Sequence, residues 1–170
     1  MTKGLPLPAL LHMATLIVCS ALLATPALAG EIDCNGRMGR AAIDGDLRVP
    51  AGKRCTLDGT RIDGNIKVGR GATLQARGVR VEGNIQAEGA REVAVANSRI
   101  GGNIQLEQGS AVRVDGVEVD GDIQVFSNRG AIRVSRNRID GNLQCKENRN
   151  RPSGSGNRVR GNKEDQCARL

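Results

Sequence analysis

One phrase returns seven times along this chain at a nearly constant interval. An aliphatic residue, a variable residue, glycine, asparagine or aspartate, and usually a second aliphatic residue begin at Ile43, Ile62, Val81, Ile100, Val119, Ile139 and Val159. The intervals are 19, 19, 19, 19, 20 and 20 residues. Self-similarity at a short fixed period is the mark of a solenoid, in which no single unit buries its apolar face and only neighbours complete the core. Within each period the apolar residues are mostly β-branched and alternate with polar ones, as in "IKV", "VAVA" and "IRV", and glycine or asparagine separates the runs. Period-2 patterning with such punctuation reads as short strands rather than helices.

The expected fold is therefore all-β: a right-handed parallel β-helix of about six to seven coils, with 19–20 residues per coil. The hand follows from the preference of parallel crossovers. Coils stacked at about 4.8 Å make a rod roughly 30 Å long. Stacking assigns faces. The columns Ile43 to Val159, Leu47 to Leu143, Val49 to Cys145, Cys55 to Ile132 and Leu57 to Val134 are expected to point inward. The glycines from Gly45 to Gly161 stand at a corner that needs either φ > 0 or close backbone approach. The Asp or Asn after each, from Asp46 to Asn162, is placed to bond the neighbouring coil's backbone.

Three outward columns are equally regular. Gln86, Gln105, Gln124 and Gln144 form a glutamine ladder. Arg61, Arg80, Arg99, Arg138 and Arg158 form an arginine column interrupted by Glu118. Asp44, Asp63, Glu82, Asp120 and Asp140 form an acidic column beside it.

Ahead of the repeat, Lys3, an apolar run from Ala9 to about Ala24 and "ALA" at 27–29 have the order of a secretory signal peptide. The expected organisation is a signal peptide over 1–29, an N-terminal cap over 30–42, β-helix coils over 43–147, and a C-terminal coil and cap over 148–170. The exported chain would be periplasmic or secreted and not an integral membrane protein. Its four remaining cysteines, Cys34, Cys55, Cys145 and Cys167, are an even count, which in an exported chain reads as two disulfides. Three pairings are open. Placement at the two ends of the array favours Cys34–Cys55 and Cys145–Cys167.

The single histidine, His12, lies in the leader, so the exported chain lacks histidine, tryptophan and tyrosine and has one phenylalanine, Phe126. That composition excludes Ser-His or Cys-His nucleophilic catalysis and histidine-bound zinc, and it leaves little surface for stacking bases or sugar rings. Neither a metal nor a cofactor is expected. The whole chain carries a net charge of +7, and removal of Lys3 leaves +6. Such a field attracts polyanions in a salt-dependent way. Arg113, Arg129, Arg133 and Arg136 have few acids nearby in sequence and are the expected binding residues.

The expected function is that of an exported, non-catalytic structural or binding module of the bacterial envelope. Its expected partner is an anionic polysaccharide or lipopolysaccharide rather than nucleic acid, and it would be a monomer or weak oligomer. The alternative is a small polysaccharide-active lyase or hydrolase using the acidic column, because carboxylates on adjacent coils approach the separation used by retaining glycosidases. A ladder makes every coil alike, however, whereas an active site needs one distinctive place.

The repeated "G-N-I-x-V/A" corners, over residues 43–145, resemble those of bactofilins, bacterial polymer-forming β-helix proteins. The resemblance implies the β-helix architecture alone. Bactofilins are cytoplasmic and polymerise through open ends, whereas this chain has a leader, cysteines and terminal segments that read as caps.

Overall fold

A computed structural model describes residues 30–170, together with Met1. The expected signal peptide falls on residues 2–29, outside the described residues. Among the described residues, every regular element is a strand of two to five residues. The strands form three parallel sheets, and each coil contributes one strand to each sheet in turn. An eight-stranded sheet runs from Gly30–Asp33 to Lys163–Asp165. A seven-stranded sheet runs from Ala42–Ile43 to Arg158–Val159, and a six-stranded sheet from Gly36–Met38 to Ile132–Ser135. The chain is a parallel β-solenoid of about seven turns, as the repeat implies.

Register follows the sequence period. Ile66 pairs with Ile85, then Ile104, Ile123 and Leu143, so like stacks on like. A slip of one residue would turn each apolar column outward, so burial of one face fixes the register. The expected inward columns are all buried apart from Val159, which is partly covered at the end. Leu47, Ile66, Ile85, Ile104, Ile123 and Leu143 have no exposed surface. Each such side chain contributes about 1.5–3 kcal/mol. The core takes aliphatic residues from successive coils, and none of its buried residues is aromatic.

The corner glycines answer to close approach. In their column only Gly45 has a positive φ, at 128°. At the others, an added Cβ would collide with the side-chain oxygen of the preceding coil's Asp or Asn. That oxygen accepts a hydrogen bond from the next coil's backbone N–H. Asp46 accepts from Asn65, Asn65 from Asn84, and so on to Asn142 and Asn162, at 2.6–2.9 Å. Glycine leaves the space, and the Asp or Asn oxygen of the coil before fills it.

The left-handed backbone occurs instead at two other corners. One column holds Gly59, Gly78, Asn97, Gly116, Arg136 and Gly156, and another runs through Gly89, Gln108, Ser127 and Glu147. Two further polar ladders lie inside the wall. Asn128 and Asn148 are buried, with their amides donating to the carbonyls of Leu106 and Val125 at 2.8 and 2.7 Å. Asn137 Oδ1 accepts from the Val117 N–H and Asn157 Oδ1 from the Asn137 N–H. These bonds satisfy backbone groups at corners where no strand partner is available.

Residues 30–42 are an incomplete coil as well as an end cover. Gly30–Asp33 stacks on Gly45–Val49, and Gly36–Met38 stacks on Arg54–Asp58. Gly30 opposes Gly45 across 15 residues, whereas Gly36 opposes Cys55 across 19. The corner between them is shortened, which is why a constant-period reading passes over this coil. Cys34 is buried, and Ile32 at the rim is 41% exposed.

At the far end Lys163 takes the column position beneath Leu143, and a turn folds Cys167 and Leu170 against the core. The excursion over 146–158 brings Ser153 beside Arg133 as an isolated bridge, with Pro152 buried next to it. Proline lacks the N–H that a continuing ladder would need. Both disulfides form as the end placement favoured: Cys34–Cys55 with Cα atoms 5.5 Å apart and Cys145–Cys167 at 5.2 Å.

Candidate polyanion-binding face

Charge is divided unevenly along the solenoid axis. Residues 30–128 hold 13 Lys and Arg against 14 Asp and Glu, whereas residues 129–170 hold 11 against four. The net charge of residues 30–170 therefore resides in the last two coils and the C-terminal segment. This asymmetry is readable from the sequence once the coil boundaries are known.

The seven-stranded sheet carries the expected arginine and acidic columns, and they neutralise one another. Arg61 contacts Asp63 at 3.0 Å and Glu82 at 3.2 Å. Arg80 contacts Glu82 at 2.8 Å, and Arg99 contacts Glu118 at 2.8 Å and Asp120 at 3.2 Å. The Arg80 guanidinium holds the Glu82 carboxyl below its usual range and is itself raised by that pairing. The eight-stranded sheet carries the glutamine ladder. Each amide donates to the next coil's side-chain oxygen, and Gln144 ends on the Glu164 carboxylate at 2.8 Å.

The six-stranded sheet is different. Its central outward column reads Arg37, Thr56, Gln75, Ala94, Arg113 and Arg133 in register, followed by Ser153 at the isolated bridge. Two shallow depressions lie along it on either side of Arg113. The first, of about 390 Å³, is bordered by Arg37, Asp58, Gln75, Arg77 and Arg113 over a floor that includes Ala94 and Ala96, so three arginines face one carboxylate there. The second, of about 320 Å³, is bordered by Glu92, Arg113, Arg133 and Ser153, with Ala111 and Ala131 between.

The four expected binding arginines fall here in part. Arg113 and Arg133 are register neighbours on this sheet. Arg136 follows the last strand at a left-handed corner with φ of 56°. Arg129 is exposed in the preceding turn and outside the column. Two of the four have an acid beside them after all. Arg113 donates to Asp115 Oδ2 at 3.1 Å and Arg136 donates to the same oxygen at 2.7 Å. The Asp115 side chain is 8% exposed, while Arg113 and Arg136 remain 55% and 69% exposed. A buried carboxylate thus tethers two guanidiniums whose remaining donors face solvent. Asp115 Oδ1 and Ser135 Oγ are buried without a hydrogen-bond partner among the described residues, and the two residues are register neighbours.

Sequence reading missed Arg37 and Arg77, which lie two to five coils from the named cluster and differ in type from their column neighbours. It also missed Asp115 as the tether, because its position two residues past Arg113 on the outward side of the same strand becomes informative only when Arg136 arrives from the next coil. Among the described residues no group of His, Cys, Asp or Glu is arranged to hold a metal ion, and no helix is long and apolar enough to cross a membrane. The two disulfides indicate a compartment outside the reducing cytoplasm. No family model, curated protein or solved structure matches the chain, so what it is similar to rests on the parallel β-solenoid itself.

Proposed function

We propose that this chain is an exported, non-catalytic binding module, periplasmic or secreted, that engages polyanions through the arginine-rich end of its six-stranded sheet. The observation that carries the reading is the pair Arg113 and Arg136 held on the buried Asp115, with Arg133 as the register neighbour of Arg113. Guanidinium groups suit bidentate contact with carboxylate, sulfate or phosphate. A tether reduces the side-chain freedom lost on binding. The surplus of seven positive charges over residues 129–170 supplies the attracting field. Asp63, Glu82 and Asp120 of the acidic column that a glycan-cleaving enzyme would use are engaged with arginines instead, which favours binding over turnover.

The test is retention of the oxidised chain from residue 30 on immobilised heparin and on lipopolysaccharide as salt is raised. Retention is expected to fade steeply with salt. In Arg113→Ala/Arg133→Ala the logarithmic salt slope should fall by about one unit per arginine removed. Salt-independent retention, or a double variant that behaves like the parent, would refute the reading. Cleavage of an acidic polysaccharide that is abolished in Asp120→Asn or Asp140→Asn would establish the enzymatic alternative.

A further inference from the structure

We infer that the six-stranded sheet binds a linear acidic polysaccharide lying along the solenoid axis, with the C-terminal arginine cluster as one end of an extended groove. The inference rests on the polyanion reading above and names its substrate class. Arg37 and Arg133 occupy one outward column at opposite ends of six stacked strands. Five inter-strand steps separate them, or about 24 Å. Between them the column drops to Thr56, Gln75 and Ala94, so cationic ends flank a low middle floor. The two depressions meet at Arg113, which makes one continuous path out of two shallow hollows. A compact anion would use Arg113 and Arg133 and leave the rest of this path empty. A linear chain uses all of it.

The chemistry of the floor selects among linear polyanions. Thr56 and Gln75 offer hydroxyl and amide groups that match sugar hydroxyls, while Arg37, Arg77, Arg113 and Arg133 match acidic substituents. Single-stranded nucleic acid needs stacking platforms for its bases. No aromatic residue lines either depression, and Phe126 lies on a strand of the eight-stranded sheet. A neutral glycan would also lack a stacking surface, so charge has to carry recognition. The strand backbone of each coil is tied to its neighbours, so the groove exists before the ligand arrives and its binding is not reduced by a folding cost.

The experiment compares affinity for an oligouronate disaccharide and hexasaccharide by calorimetry at low salt, using the oxidised chain from residue 30. The hexasaccharide is expected to bind at least about tenfold more tightly, because its distal acidic groups reach a second set of arginines already held nearby. Arg37→Ala should remove most of that gain and leave disaccharide affinity unchanged. Gln75→Glu, which places a negative charge on the floor two strands away from Arg113, should do the same. Disaccharide and hexasaccharide binding equally, or Arg37→Ala and Gln75→Glu both leaving the hexasaccharide unaffected, would overturn the groove while the terminal arginine cluster stood. Failure of both oligomers to bind would overturn the groove, while the polyanion reading would stand or fall separately with retention on heparin and lipopolysaccharide. An oligonucleotide of matched charge binding as tightly as the hexasaccharide would overturn the assignment to glycan.

Discussion

Gly121→Ala is expected to destabilise this protein, and Asn103→Ala is expected to relieve part of that damage. Gly121 lies outside the left-handed region, so alanine there carries no backbone penalty. By conformational entropy of the unfolded chain alone, the change would stabilise by about 0.4–1 kcal/mol. The surrounding space reverses the sign. An added Cβ would stand 2.9 Å from the Gly102 carbonyl oxygen and closer still to Asn103 Oδ1. That oxygen is held in place by the Asp122 N–H at 2.7 Å. Neither atom is the free end of a flexible chain, so the overpacking should cost about 1–3 kcal/mol, for a net loss of about 1–2.

Asn103→Ala orphans the Asp122 N–H and should cost about 1–3 kcal/mol, toward the lower end because Asn103 is only half-buried. It also removes the nearest obstacle to the new Cβ. The double variant should therefore be more stable than the sum of the singles predicts by at least about 1 kcal/mol, well outside the roughly 0.3–0.5 kcal/mol within which independent sites add. The assay is urea unfolding of the oxidised chain from residue 30, followed by far-ultraviolet circular dichroism. A stabilising Gly121→Ala, or a cycle that closes additively, would show that the glycine and amide columns are not coupled.

Three further outcomes follow from the same geometry. Asp46 has its carboxyl held below the usual range, first by Lys67 and then by the Asn65 backbone N–H, and Arg48 does the same to Asp33. A depressed carboxyl contributes stability that is present above the unfolded value, about 3.9 for aspartate, and lost as pH falls through the folded value. The urea midpoint should thus stay level from pH 8 to about 5 and drop below about pH 4. Asp46→Asn, which keeps an acceptor for Asn65, should make that acid limb shallower. Replacing Cys34 and Cys55 by serine should cost about 3 kcal/mol, with hydrogen exchange rising first in the N-terminal coils and the central coils remaining protected. Gln108 adopts φ of 53° at a corner where the preceding coil has Gly89 at 65°, so Gln108→Gly should raise stability by about 0.5–1 kcal/mol in the same urea assay.

Much of this architecture is legible in a list of residues because a solenoid turns sequence separation into spatial contact. A constant period of 19–20 means that column membership can be read by counting, and the buried columns from Leu47 to Leu143 and from Cys55 to Ile132 follow directly. The disulfide pairing follows too, since only cysteines on adjacent coils at the same end come within reach. Counting fails where the period breaks. The coil over 30–42 has one corner shortened, so Gly30–Asp33 falls out of step with the repeat at a spacing of 15, whereas Gly36–Met38 and Ala42–Ile43 keep the spacing of 19. Counting also fails where a column changes residue type. Asn128 and Asn148, or Asn137 and Asn157, look like surface turn residues until the corner folds them inward against the backbone of the neighbouring coils.

The binding face marks the division between what each level decides. Local sequence determined that Arg113 and Arg133 would stand on adjacent coils and point away from the core, because strand alternation and the 20-residue step leave them no other place. Tertiary structure alone decided that Arg136 would turn back to share Asp115 with Arg113. Alternation and period are properties of one strand repeated. The direction of a long side chain at a corner depends on where the neighbouring coils have come to rest.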